Sequence, residues 1–102
     1  MKSKINTALT VAGFDPSGGA GLQADLKTFS AFGVIGKSVA TSITIQNTVG
    51  VIDAHDISTE IVEQQLRIIL EDGRPGAVKT GMLGNELIVG AVVRLLRRYR
   101  IK

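Results

Sequence analysis

Four small residues at positions 18–21, Gly-Gly-Ala-Gly, form the strongest local pattern in the sequence, shortly after a β-prone run that ends at Gly13. Glycine tolerates positive φ angles and lets a ligand approach the backbone closely. A helix that begins after such a loop presents N–H groups and the positive end of its dipole. The cluster therefore predicts a ligand contact made through the backbone, and the alternative is a tight strand-to-helix turn without a ligand.

Two nucleotide-binding motifs are tested against this loop. A Walker A loop needs a glycine five positions before Gly36-Lys37-Ser38, but that position is Ala31, inside a predicted helix, so we reject the motif. Residues 19–24 match the dinucleotide string G-x-G-x-x-A. However, a loop separates them from the preceding strand, and the next strand ends at Gln46 without an acid. A dinucleotide site is kept as the least favoured alternative.

Polar residues near the predicted strand ends are the other candidates for chemistry. Gln46 places an amide donor and acceptor side by side, which suits the edge of a heterocycle, or it is a plain polar strand end. Asp25 lies in the first turns of the glycine-led helix, as a solvated acid or as a carboxylate aimed at the strand ends. Lys79 is interpreted as structural. His55 is the only histidine, and without cysteine or a second histidine it predicts no metal site.

The spacing of apolar residues alternates along the chain between the period of a strand and the period of a helix, which predicts the elements that position these residues. β-prone runs and amphipathic runs follow one another in the order β-α-β-(β)-α-β-α, which predicts a mainly parallel sheet with helices on both faces. Ser58 and Asn85 are interpreted as helix N-caps, and the core face of the last helix is expected to include Leu87 and Ile88. The predicted strands are 5–13, 35–46, a short extended segment 49–57, and 77–80.

Composition narrows the function classes. The net charge of +3 comes mainly from a basic cluster at residues 94–102, and aromatic residues are only 4% of the chain, so we expect no nucleic-acid binding. No apolar stretch approaches the length of a membrane span, and no signal peptide is evident. There is no cysteine, which fits a reducing compartment, and we expect a cytoplasmic protein.

Residues 8–28 (ALTVAGFDPSGGAGLQADLKT) closely resemble the opening of hydroxymethylpyrimidine/phosphomethylpyrimidine kinases. Later family segments follow in order at 46–51 (QNTVGV), 65–66 (QL) and 77–83 (AVKTGML). The resemblance implies a ribokinase-like three-layer α/β/α fold, of which residues 1–102 would form the N-terminal, substrate-binding half. It also implies ATP-dependent phosphorylation of hydroxymethylpyrimidine and then of its monophosphate, in thiamine biosynthesis, with Mg²⁺.

The resemblance further implies a pyrimidine site, in which Asp25 and Gln46 hydrogen-bond the ring. Its expected members are Gly13, Ala20, Asp25, Thr44, Gln46 and Met82. Related enzymes phosphorylate pyridoxal or pyridoxine, so a kinase of that specificity is an alternative.

We expect the ATP-binding part and the catalytic residue of the family to lie outside this chain, which would then bind no cofactor and be inactive alone. A non-catalytic module, forming a homo-oligomer through an exposed sheet edge, is the other alternative.

Overall fold

A computed structural model describes residues 6–101 of the chain. Strands and helices follow one another in the predicted order, β-α-β-β-α-β-α. The strands are β1 (Thr7–Phe14), β2 (Ile35–Gln46), β3 (Val51–Asp56) and β4 (Ala77–Thr80). The helices are α1 (Gly21–Ala31), α2 (Thr59–Asp72) and α3 (Glu86–Arg98).

The sheet has the strand order β3-β2-β1-β4. β1 pairs in parallel with both β2 and β4, whereas β3 folds back antiparallel to β2 as a hairpin arm. The mainly parallel sheet expected from the alternating periods is therefore confirmed, with one antiparallel strand added at an edge. Within residues 6–101, no strand pairs with the outer edge of β4.

Side chains of β1 alternate between two helical layers because successive residues of a strand point to opposite faces. Leu9 and Val11 are fully buried in the main core, together with apolar residues of α2 and α3. Thr10 points to the opposite face, where its hydroxyl donates to Asp25 of α1. β1 is thus covered on both faces, which explains its almost continuous apolar sequence.

Side-chain caps mark the starts of α2 and α3 as the sequence predicts, whereas α1 has no side-chain cap. The Ser58 side chain accepts a hydrogen bond from the Ile61 N–H, and Asn85 does the same for Ile88, so each caps the first turn of its helix. One expectation is wrong: Leu87 is 73% exposed, although it was assigned to the core face. It lies about 100° around α3 from the fully buried Ile88, at the margin of the apolar stripe.

Two register irregularities lie near the carboxyl ends of β1 and β2. The register between β1 and β2 shifts between Ala12 and Phe14, and that between β2 and β3 shifts between Ile45 and Gln46. Such bulges re-aim side chains and commonly lie beside ligand sites. None of the helices described for this chain combines the length and apolarity needed to cross a bilayer.

Candidate functional site

The glycine loop between β1 and α1 is organised around the carboxylate of Asp15. One carboxylate oxygen accepts from the N–H and the hydroxyl of Ser17, at 2.9 and 2.7 Å. The other accepts from the N–H groups of Gly19 and Ala20, at 3.1 and 2.9 Å. The hydroxyl of Ser17 holds the pKa of Asp15 below its ordinary value, and the backbone N–H groups add to this effect against the opposing influence of burial.

This arrangement changes the role expected of the loop. The sequence suggested a ligand contact through the backbone of this segment, with free N–H groups on the following helix; within the loop itself, the N–H groups of Ser17, Gly19 and Ala20 are donated to Asp15, which is only 5% exposed. The loop therefore binds the Asp15 carboxylate as its anion, and these hydrogen bonds preorganise the loop as one wall of the site. This occupancy takes the N–H groups of Gly19 and Ala20 away from a pyrophosphate contact, whereas the first turn of α1 carries no side-chain cap.

Gly21 joins this loop tightly to β1. Its φ is +65°, in the left-handed region, and a Cβ atom at this position would overlap the carbonyl oxygen of Gly13. Only glycine satisfies both conditions. The start of α1 therefore lies directly against the backbone at the end of β1, which is where the predicted site residues converge.

A cavity of about 430 Å³ opens beside this junction, at the carboxyl ends of the parallel strands. Ligands of open α/β sheets bind at this end. Five of the six residues expected from the resemblance line the cavity: Gly13, Ala20, Thr44, Gln46 and Met82. Apolar surface from Val51 and Ala54 of β3 adds a wall that the sequence did not predict.

Thr44 and Gln46 form a short hydrogen-bonded chain on one side of the cavity. The Thr44 hydroxyl donates to the backbone carbonyl of Phe14 at 2.8 Å and accepts from Gln46 Nε2 at 2.6 Å. Thr44 is thereby satisfied, and it orients the amide of Gln46. No hydrogen bond from residues 6–101 reaches Gln46 Oε1, so this oxygen and the second N–H of the amide can pair with a ligand.

Asp25, the sixth expected residue, is not among those lining the cavity. Its Oδ2 accepts from the hydroxyl of Thr10 at 2.6 Å and from Lys79 Nζ at 2.8 Å. Lys79, interpreted from the sequence as structural, does line the cavity, and its side chain is 48% exposed. The Asp25 carboxylate thus contacts the ammonium group without itself lining the cavity.

Sequence reasoning missed Asp15 and Lys79 as members of this site. The Asp-Pro-Ser-Gly segment offered a signal for Asp15, because aspartate commonly accepts from N–H groups two or more residues further on. No local signal identifies Lys79, whose partner Asp25 is 54 positions away.

Potential metal ligands are dispersed over the part of the chain that the structure describes. No group of three or more Asp, Glu, His or Cys side chains comes together within residues 6–101. His55 lies 3.0 Å from Asp53 on the exposed hairpin arm. This pair is too small for a metal site built from protein side chains.

Comparison with known proteins places this geometry in a family. The family model for phosphomethylpyrimidine kinase matches residues 15–102. The hydroxymethylpyrimidine/phosphomethylpyrimidine kinase of Escherichia coli (strain K12) is 52% identical over 99 residues, covering 97% of this chain and 37% of the relative. The enzyme of the same description from Bacillus subtilis (strain 168) is 48% identical, covering 93% of this chain and 35% of the relative.

Solved structures agree with the fold. The crystal structure of phosphomethylpyrimidine kinase from Clostridium difficile 630 has a TM-score of 0.90 at 49% identity, covering 95% of this chain and 42% of that one. An ADP complex of Bacillus subtilis pyridoxal kinase has a TM-score of 0.89 at 36% identity, covering 97% and 39%. The α/β fold implied by the resemblance is confirmed.

The chain spans between a third and two fifths of the length of the curated relatives that it matches. The match nevertheless extends over nearly all of this chain, at an identity close to one half. By sequence and by fold, this chain belongs to the phosphomethylpyrimidine kinase family.

Proposed function

We propose that this chain provides the pyrimidine-binding site of an ATP-dependent kinase that phosphorylates hydroxymethylpyrimidine and then phosphomethylpyrimidine. The observation that carries the proposal is the cavity beside Gly13, whose wall presents the free edge of the Gln46 amide. Family membership supports the reaction class. The use of Mg²⁺ with ATP, a place in thiamine biosynthesis and a cytoplasmic location belong to the same proposal for the whole enzyme.

The cavity suits a flat, substituted heterocycle. Gly13 and Gly81 line the cavity without side chains of their own, and the terminal methyl of Met82 packs against Gly13, where it supplies an adaptable apolar surface. Gln46 is tethered by Thr44, so its free oxygen is preorganised to accept a hydrogen bond from an amino group on the ring. A direct hydrogen bond between Asp25 and the ring stays a prediction, because the Asp25 carboxylate contacts Lys79 Nζ.

Titration of the 102-residue chain with hydroxymethylpyrimidine, followed by amide NMR, tests this proposal. We expect saturable shifts at Gly13, Gln46 and Gly81. The variant Gln46→Ala should bind about 1–3 kcal/mol more weakly, because a ligand donor loses its acceptor. Gln64→Ala is the matched control, since Gln64 is exposed on α2 and does not line the cavity. Equal affinity of the two variants would contradict the role of Gln46.

Pyridoxal kinase is the second candidate, because solved pyridoxal kinases share this fold at 36% identity. The relatives described as pyrimidine kinases are closer, at 48–52% identity. Parallel titration with pyridoxal separates the two, and tighter binding of pyridoxal would overturn the pyrimidine assignment. ATP consumption in the presence of hydroxymethylpyrimidine checks the further prediction that this chain alone does not transfer phosphate.

A non-catalytic interaction module is favoured by one observation, the outer edge of β4, which no strand within residues 6–101 covers. Such edges pair readily with another chain. Sedimentation equilibrium tests for the homo-oligomer expected from this edge, and a stable dimer that ignores hydroxymethylpyrimidine would favour the module over the kinase.

A further inference from the structure

Lys79 is the only cationic side chain among the described residues that line the cavity. The one other charged residue there is Asp15, whose carboxylate is turned into the glycine loop and accepts four hydrogen bonds. The two substrates named for the family differ in charge, because hydroxymethylpyrimidine is neutral at its substituent and phosphomethylpyrimidine carries a phosphate monoester. An anionic substituent in this cavity needs a cationic or N–H partner.

The glycine loop is a poor partner for that phosphate. Its N–H groups at Gly19 and Ala20 are donated to Asp15, and a phosphate placed there would have to displace this carboxylate or lie beside it. Two anions in close contact repel one another. The loop therefore disfavours phosphate even though its composition resembles a phosphate-binding loop.

The ammonium group of Lys79 is held ready beside the cavity. Its Nζ lies 2.8 Å from Asp25 Oδ2, and Asp25 is fixed in turn by the hydroxyl of Thr10 at 2.6 Å. Lysine has three N–H donors, and within residues 6–101 only Asp25 accepts from this one. Gly81 has no side chain to crowd this group, since a Cβ atom there would lie 3.3 Å from Lys79 Nζ.

We infer that Lys79 contacts the phosphate monoester of phosphomethylpyrimidine, and that Asp25 positions the ammonium group when the ligand is neutral. This inference rests on the proposed function, and it makes Lys79 the residue that distinguishes between the two pyrimidine substrates. Lys79 contributes little to hydroxymethylpyrimidine, which offers it no charge. A phosphate gains a charge-assisted hydrogen bond from an ammonium group that is already in place.

Calorimetric titration of the 102-residue chain with each of the two pyrimidines tests the inference. Lys79→Gln should weaken phosphomethylpyrimidine binding about ten- to a hundredfold, as expected for a hydrogen bond to a charged group. Hydroxymethylpyrimidine binding should change less than about threefold. Lys79→Arg, which keeps the charge, should retain the preference.

Lys37→Gln is the matched control, because Lys37 forms an ion pair of the same type with Asp72, at 3.3 Å and away from the cavity. It should alter neither affinity. Asp25→Asn is a second, independent variant that keeps an acceptor oxygen beside Lys79 and removes a competing anion. It should shift the ratio of the two affinities toward phosphomethylpyrimidine.

The outcomes separate this inference from the function on which it rests. Equal effects of Lys79→Gln on both ligands, or no effect on either, overturn the inference and leave the pyrimidine site standing. If Lys79→Gln does not fold, an unchanged affinity ratio in Asp25→Asn overturns it instead. If the unmodified chain binds neither pyrimidine, the proposed function fails and the inference fails with it.

Discussion

Replacing Gly21 by alanine perturbs the junction on which the candidate site is built. Gly21 has a φ of +65°, and a Cβ atom there would overlap the carbonyl oxygen of Gly13. The left-handed conformation costs an alanine about 1–2 kcal/mol. Forcing the extra methyl group against fixed backbone adds about 1–3 kcal/mol, so we expect Gly21→Ala to lower the free energy of unfolding by about 2–5 kcal/mol.

Gly33→Ala is the control that isolates the steric part. Gly33 has a nearly identical φ of +71°, but a Cβ atom there would meet nothing within 4 Å. Its replacement should therefore cost only the conformational penalty of about 1–2 kcal/mol. Urea unfolding followed by circular dichroism measures both variants, and equal slopes with denaturant would show that the midpoints report stability.

The two variants must differ for the reasoning to stand. If Gly21→Ala is no more destabilising than Gly33→Ala, the close approach of α1 to Gly13 does not exist as described. The same variant should also weaken hydroxymethylpyrimidine binding under conditions where it remains folded, because Gly13 and Gly21 both line the cavity. Unchanged binding of hydroxymethylpyrimidine by the folded variant would show that the site does not depend on this junction.

Two further results are expected. The pKa of Asp15 is lower in the folded chain than in the unfolded chain, so its contribution to stability is present above the ordinary carboxyl pKa and is lost as the pH falls through the folded value. Asp15→Asn should therefore reduce the loss of stability at acidic pH, measured by unfolding curves across pH. An unchanged loss of stability at acidic pH would contradict the role of the carboxylate. Leu66→Ala should lower the free energy of unfolding by about 2–5 kcal/mol because Leu66 is fully buried. Leu87→Ala should change it by less than about 0.5 kcal/mol because Leu87 is 73% exposed, and urea unfolding midpoints compare the two variants.

The order and type of the elements were predictable because they depend on local signals. Alternating runs of β-branched and amphipathic sequence gave the strand and helix order, and Ser58 and Asn85 marked helix starts through hydrogen bonds within their own first turns. Leu87 shows the limit of such reasoning, since a residue about 100° from the centre of an apolar stripe is buried or exposed according to what packs beside it.

Residue order and local periodicity were sufficient to predict the family, the mainly parallel α/β architecture and the likeness of residues 8–28 to a kinase opening. The use of the loop and of the strand ends depends instead on contacts between distant parts of the chain. The Asp15 carboxylate turns into the glycine loop and accepts from the N–H groups of Gly19 and Ala20, which local composition does not reveal. The tertiary structure also brings Lys79 to Asp25 across 54 positions, because α1 and β4 lie against the same strand, β1.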